Sequence, residues 1–239
     1  MNKALFVIGL SKNGGAEKRA KYIASLIKDE VDSKVFAFVA KKGEVDFAFK
    51  ETYQEYKNES VKARINYLAE IIKQEKPNVV FSFLPHINFF TTKAIKKAHV
   101  KGVKHVVCIA FYQFDFLHKF LIDFSIKRSD SVYYQCEEQM QFVKYHKGYF
   151  VLPNPITVPE YKERKTLNRF ISVGRLEEQK GFLMQINAFS EIAKVNKDAT
   201  LDIFGNGSQK DMLNNRIKEL GLTDKVKIHP YTDNINTII

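Results

Sequence analysis

Two cysteines in 239 residues are too few for a disulfide framework, and neither Cys108 nor Cys136 has a metal-ligand partner nearby in sequence. Both lie in apolar segments and read as reduced core residues. No apolar run approaches the roughly 20 residues that a membrane-spanning helix needs. The N-terminus is a short strand-like segment, Ala4 to Leu10, without the layout of a signal peptide. A cytoplasmic protein is therefore expected, with peripheral attachment to the inner face of the cell membrane left open. Acidic residues are also scarce, 27 against 38 Lys and Arg, for a formal net charge of +11. The imbalance favours an anionic partner: a nucleotide, an anionic lipid surface or nucleic acid. A recognisable nucleic-acid module and interleaved exposed aromatics are both missing, so nucleic acid is not expected.

What the chain does have is enough apolar content, 45%, to bury a core and to exclude disorder as its main state. Near-continuous apolar runs at 4–10, 34–39, 79–84, 105–110, 131–135 and 149–152 read as buried strands. Helical spacing falls between them, around 22–27 and over 62–75, 91–100, 116–128 and 137–146. Strands alternating with helices mean βαβ units and a doubly wound parallel sheet. Pro153-Asn154-Pro155 and the charged Glu160 to Lys165 then interrupt the pattern as a linker. Alternation resumes with strands at 169–173, 200–204 and 225–229 and helices at 181–195 and 208–220. The expected domains are 1–155 and 156–239, the second stopping partway through, because an α/β domain ordinarily runs to about 100–150 residues.

Two loops in the second domain carry ligand-type chemistry. In Val173-Gly174-Arg175 with Lys180-Gly181, a strand ends at a glycine, two cations follow, and a helix begins. Arg175 can hold two phosphate oxygens with its fork, and Lys180 adds a mobile point charge beside a helix N-terminus. A βα turn with solvated charges is the plain alternative. Against it stands a second loop, Gly205-Asn206-Gly207, at the end of the next strand, where open α/β sheets bind ligands. Glycines there would let a phosphate or base approach the backbone closely. Near the N-terminus, Gly14-Gly15 before a helix makes a weaker anion cradle, without the G-x-G-x-x-G or G-K-[ST] spacing of nucleotide fingerprints.

Taken in order, Gly14-Gly15-Ala16-Glu17, Pro153-Asn154-Pro155, Val173-Gly174-Arg175, Lys180-Gly181 and Phe204-Gly205-Asn206-Gly207 resemble the motifs of the family 4 retaining glycosyltransferases. The likeness spans essentially the whole chain. It implies a GT-B fold of two Rossmann-like doubly wound parallel sheets, the second incomplete here. It also implies transfer of a sugar from a nucleoside-diphosphate sugar, with UDP the expected nucleotide, to a hydroxyl of a lipid-linked or surface glycan. Arg175, Lys180 and Gly174 would grip the donor diphosphate. Gly205, Asn206, Gly207, His229 and Tyr231 would shape the nucleoside pocket. Gly14, Gly15 and Glu17 would face donor phosphates or acceptor, and Asn154 would lie between the domains. No metal and no cofactor beyond the nucleotide-sugar is expected, because cationic side chains and backbone amides stabilise the leaving diphosphate.

The sequence departs from the family pattern in two places. The Glu-x7-Glu element that contacts donor sugar and ribose would lie past Ile239, so an inactive fragment that binds nucleotide or a membrane surface weakly is the alternative reading. Where many members carry a histidine, this chain has Ala110-Phe111-Tyr112-Gln113, and His86 is the nearby catalytic candidate. The segment from Pro77 to Phe114 holds Lys93, Lys96, Lys97, Lys101 and Lys104 and no acid, read as a solvated face with anionic-membrane docking as the alternative. Phe116, Leu117, Phe120, Leu121 and Phe124 form an apolar stripe expected to pack in the core, with membrane insertion as the alternative.

Overall fold

Strands that are apolar at every position are stable only when covered on both faces, which parallel sheets flanked by helices provide. The structure, a computed structural model, describes residues 1–10, 15–39, 52–54, 60–109, 115–143, 148–155 and 168–232. It contains two parallel sheets in two compact units, Met1–Ile156 and Thr157–Ile239.

The first unit runs β1 (Asn2–Leu10), α1 (Gly15–Ile27), β2 (Val31–Val39), β3 (Thr52–Gln54), α2 (Val61–Glu75), β4 (Val79–Phe83), α3 (Pro85–Ala98), β5 (Lys104–Cys108), α4 (Phe116–Ile126), β6 (Ser131–Tyr134) and β7 (Gly148–Val151). All its strand pairs are parallel, in the order β3-β2-β1-β4-β5-β6-β7. Strand order reverses between β1 and β4, the switch point where such sheets open a crevice at their carboxyl edge. One face of the sheet buries Phe6, Ile8 and Phe83 with Ala20 and Ile23 of α1, and Phe6 stacks on Phe81 at 4.9 Å. The other buries Leu5, Val7, Phe36 and Val80 against Leu68 and Ile72 of α2 and Ile87 and Ala94 of α3.

Local chemistry sets the helix ends. Ser60 caps α2 by accepting from Ala63 N at 3.3 Å, and Lys76 closes it in the left-handed region before Pro77. Helix α3 begins at Pro85, six residues earlier than the apolar spacing suggests. Proline's fixed φ suits a first helical turn, and Leu84 turns the chain there at φ +79. His86 accordingly sits in a helix and not in a loop. The helix expected over 137–146 is a 3-10 helix, Glu137–Phe142, after which Val143 is extended. Gln139 folds its side chain back to accept from Gln135 N at 2.6 Å. Strand β3 is a three-residue edge piece in a polar stretch that pattern reading passes over. Both cysteines are free, Cys108 buried and Cys136 half-buried.

The α4 stripe does not pack in the core as the sequence suggested. Its buried residues are Ile122, Ser125 and Ile126, whereas Phe116, Leu117 and Phe120 are 90%, 61% and 56% exposed. Helix α4 is apolar on more than one side, so spacing alone could not identify the side that meets the sheet.

The second unit runs β8 (Arg169–Val173), α5 (Phe182–Val195), β9 (Thr200–Phe204), α6 (Lys210–Glu219) and β10 (Val226–His229), its parallel strands ordered β10-β9-β8. Phe182, Ile186 and Phe189 of α5 and Leu213 and Ile217 of α6 bury Leu201, Ile203 and Val226 of the sheet.

One polar network lies inside the first unit. Ser82 Oγ donates to Asn88 Oδ1 at 2.8 Å and contacts His105 Nε2 at 2.8 Å, while Asn88 Nδ2 faces the Cys108 carbonyl. Because the Ser82 proton goes to Asn88, His105 must be the Nε2–H tautomer, leaving Nδ1 buried without a donor among the described residues. Burial pushes the His105 pKa down to about 4, against a smaller opposing pull from Asp130. Above pH about 6.5 the imidazole is neutral in both folded and unfolded chains. Below it only the unfolded chain takes up the proton, so stability falls as pH falls towards the folded value. We expect urea denaturation to show up to about 3 kcal/mol lost between pH 7 and 4.5, and His105→Gln to flatten that slope. An unchanged slope in the variant would refute this account of His105.

Candidate functional site

The carboxyl edge of the second sheet is built by two loops packed backbone to backbone. Strand pairing continues past the strand ends: Gly174 N donates to Phe204 O at 3.0 Å, Leu176 N to Asn206 O at 2.9 Å, and Gln209 N to Leu176 O at 3.0 Å. Leu176 is fully buried between the loops. Glu177 completes the junction, accepting from Ser208 N at 3.0 Å and Ser208 Oγ at 2.8 Å. Those two bonds hold its carboxyl below the usual range.

The spacing of the loops explains the glycines. A Cβ on Gly205 would fall 1.8 Å from the Gly174 carbonyl oxygen, and one on Gly207 would fall 2.4 Å from that of Leu176. The demand for glycine at 205 and 207 thus comes from the adjoining loop. Gly181 is required for another reason. It holds φ +67 between the 3-10 turn Glu178–Lys180 and the start of α5.

Arg175 and Lys180 are both exposed at this edge. The Lys180 stem passes beside Gly174, its Cγ 3.8 Å from where a Cβ on that glycine would sit, which brings the second cation next to the base of the first. Gly181, as N-cap, supplies no side-chain bond to α5, so the helix N-terminus is capped by no side chain. Two cations beside a helix start without a side-chain cap are chemistry suited to an anion.

The neighbouring strand end is more constrained than the sequence suggested. His229 stacks on Phe204 with centroids 4.5 Å apart and 16° between planes, and its Nε2 meets Asp202 Oδ1 at 2.6 Å. Arg169 Nε donates to the other Asp202 oxygen at 2.8 Å. Partial burial works against ionisation of Asp202, but the bonds from His229 and Arg169 prevail and hold its carboxyl low. One face and one nitrogen of the His229 ring are therefore committed within the protein. Asn206 and Tyr231 are exposed beside it. Sequence reading missed Glu177, Asp202 and Arg169, since nothing in a lone charge announces its cross-strand partner. Ser208, immediately after the glycine loop, was the available hint for Glu177.

In the first unit, Gly15 opens α1 as an exposed residue, Glu17 is buried in its first turn, and Gly14 lies outside the described residues. His86 occupies the first turn of α3, at the carboxyl edge beside the β1/β4 switch point, edge-on to Phe90 at 6.0 Å. Desolvation first, then His118 and Arg64, press its pKa down. Asn154 follows β7 and accepts a hydrogen bond from Arg19 Nη2, whose guanidinium lies 5.1 Å from the Tyr133 ring centroid. Arg19 is buried, its Nε and Nη1 without a hydrogen-bond partner among the described residues, and burial lowers its pKa. The structure thus groups Gly174, Arg175, Lys180 and the 205–207 loop at one sheet edge, and Gly15, Glu17 and His86 at the other sheet's edge.

Residues 155–239 match the family model described as Glycosyl transferases group 1. A curated relative, the poly(glycerol-phosphate) alpha-glucosyltransferase of Bacillus subtilis (strain 168), is 30% identical over 115 residues, covering 44% of this chain and 17% of that protein. Among solved structures, Anabaena Alr3699/HepE in complex with UDP and glucose superposes with a TM-score of 0.80 at 17% identity, over 100% of this chain and 71% of that one. A point mutant of S. aureus TarM in complex with fondaparinux, alpha-GlcNAc-glycerol and UDP gives 0.72 at 10% identity, over 97% and 78%. The fold is that of the GT-B glycosyltransferases. At such identities the structural likeness speaks for fold alone, and the curated relative extends far beyond the matched stretch.

The loop geometry makes a test of its own. Gly205→Ala should destabilise the second unit by about 3 kcal/mol or more, because a rigid carbonyl cannot yield. Asn206→Ala, between the two glycines, should stay within about 0.5 kcal/mol. Thermal unfolding of both variants checks this, and a Gly205→Ala protein as stable as wild type would refute the packing argument.

Proposed function

We propose that this chain belongs to a retaining glycosyltransferase of family 4. It would take a sugar from a nucleoside-diphosphate donor, a UDP-sugar, and pass it to a hydroxyl of a lipid-linked or surface glycan at the cytoplasmic face of the membrane. The observation that carries the reading is the sheet edge where Arg175 and Lys180 stand exposed beside the uncapped N-terminus of α5. When the bond from anomeric carbon to diphosphate breaks, negative charge grows on the leaving phosphate. Fixed cations and helix N–H groups aimed at that point stabilise it more than the ground state. On this reading the protein needs no metal, since side chains and amides neutralise the diphosphate.

Two further supports come from the relatives. The curated one is named as an alpha-glucosyltransferase acting on poly(glycerol-phosphate), and the HepE structure holds UDP with glucose. The nucleoside would lie against the 205–207 loop towards Tyr231, on the face of His229 that Phe204 leaves open. Gly14, Gly15 and Glu17 would serve the acceptor or donor phosphates. His86, kept neutral by its surroundings, would accept a hydrogen bond from the acceptor hydroxyl. Asn154, held by Arg19 two residues before the end of the first unit, would fix where the chain leaves it.

Calorimetry with UDP, GDP and their glucose conjugates tests the donor site. Arg175→Ala and Lys180→Ala should each weaken nucleotide binding by about 10- to 100-fold, the loss of a charge-assisted contact to phosphate. Equal affinity in wild type and both variants would overturn the assignment.

A further inference from the structure

The apolar tip of α4 stands outside the core, its Phe120 ring 6.5 Å from that of Phe124 one turn on. Phe116, Leu117 and Phe120 are 90%, 61% and 56% exposed, in consecutive turns at the helix N-terminal end. Asp115 caps that end, its carboxylate engaged by His118 N and Nδ1, each at 2.8 Å.

The ridge they begin continues into a cationic zone. Phe124, one turn beyond Phe120, lies 5.0 Å from Phe89 of α3. Lys93 reaches over both rings, 4.8 Å from Phe124 and 5.5 Å from Phe89, and the Arg128 guanidinium covers Phe124 at 3.8 Å. Lys96, Lys97, Lys119 and Lys127 are exposed on the same two helices or their ends. On α3, α4 and their ends there are six lysines and arginines and two acids, Asp115 and Asp123.

We infer that the α3–α4 face docks the protein on an anionic lipid bilayer, with Phe116, Leu117 and Phe120 entering the headgroup–acyl boundary and the surrounding cations facing lipid phosphates. Long cationic side chains lying along aromatic rings are placed to keep their apolar stems in the interface and their charge outside it. A second copy of the chain is the poorer occupant. A two-fold interface sets a patch against itself, and this patch would oppose cations to cations with two acids to offset six. The inference stands apart from the donor chemistry of the second unit and needs no nucleotide.

Co-sedimentation of the full chain with vesicles decides it. Binding to phosphatidylglycerol vesicles should exceed binding to phosphatidylcholine vesicles by at least about tenfold at low salt, since each cation near the surface contributes about fivefold. Lys96→Glu with Lys97→Glu should remove most of that difference. Phe116→Ser, Leu117→Ser and Phe120→Ser together should abolish the binding that survives about 0.5 M salt, where surface electrostatics are screened, with the circular dichroism spectrum unchanged because these side chains are exposed. Equal binding to both vesicle types, or a triple variant that binds as wild type does, would overturn the proposal. So would self-association of the wild type that the triple variant loses while vesicles sediment without protein.

Discussion

The candidate site in the second unit depends on one steric constraint: the carbonyl of Gly174 occupies the space that a side chain at position 205 would need. Backbone-to-backbone contact of this kind leaves little room for the loops to shift. Leu176, buried below the junction, pins the chain one residue after Arg175. Glu177 pins it again through Ser208. Arg175 therefore projects from a fixed origin, and the side chain's own rotamers are the main freedom left for a ligand to restrict. A carboxylate so close to an arginine would ordinarily compete with an incoming phosphate. Here both Glu177 oxygens accept hydrogen bonds from Ser208, which fix the carboxylate in place; it still attracts Arg175 through space, while the arginine itself stands exposed. Preorganisation of this sort is what makes cations effective against charge that appears only in a transition state.

The first unit holds its sheet edge by different means. Leu84 is carried at φ +79, a conformation that costs an L-residue energy, directly between β4 and the first turn of α3. Behind that turn Ser82, Asn88 and His105 tie β4, α3 and β5 together, and Asn88 N also donates to the Leu84 carbonyl at 2.9 Å. Strain at Leu84 is thus confined by polar bonds that allow few alternative arrangements in an apolar interior. The consequence is positional: His86 inherits a defined place at the β1/β4 switch point.

Alternation of apolar runs and helical spacing made the α/β architecture legible, because buried parallel strands announce themselves by composition. The strands at 169–173 and 200–204 have the bounds that the apolar runs suggest. Failures occurred where tertiary partners decide. The start of α3 depends on an unusual φ at Leu84, which leucine does not advertise. The 3-10 turn at 137–142 depends on Gln139 reaching back to Gln135. Cations and glycines of the candidate site were readable as residue types at strand ends. The reason for Gly205 and Gly207 was not, since the carbonyls they make room for, those of Gly174 and Leu176, are each 31 residues away in sequence.

Helix α4 shows most directly what a hydrophobic pattern leaves undetermined. Phe116, Phe120 and Phe124 recur every four residues, as core residues of a helix do, yet Ile122 and Ile126 are the ones that meet the sheet. Two apolar stripes on one helix cannot both face the same layer. The surplus stripe is flanked by cations, whereas the net charge of +11 gives no indication of how charge is arranged. Arg175 and Lys180 stand beside glycines and open helix amides, surroundings that suit a compact, highly charged group. Lys93 and Arg128 lie over phenyl rings, surroundings that suit a boundary between hydrocarbon and water. The same two residue types are therefore suited to distinct chemistry in the two units, and the atoms packed around their stems, more than their charge, tell one setting from the other.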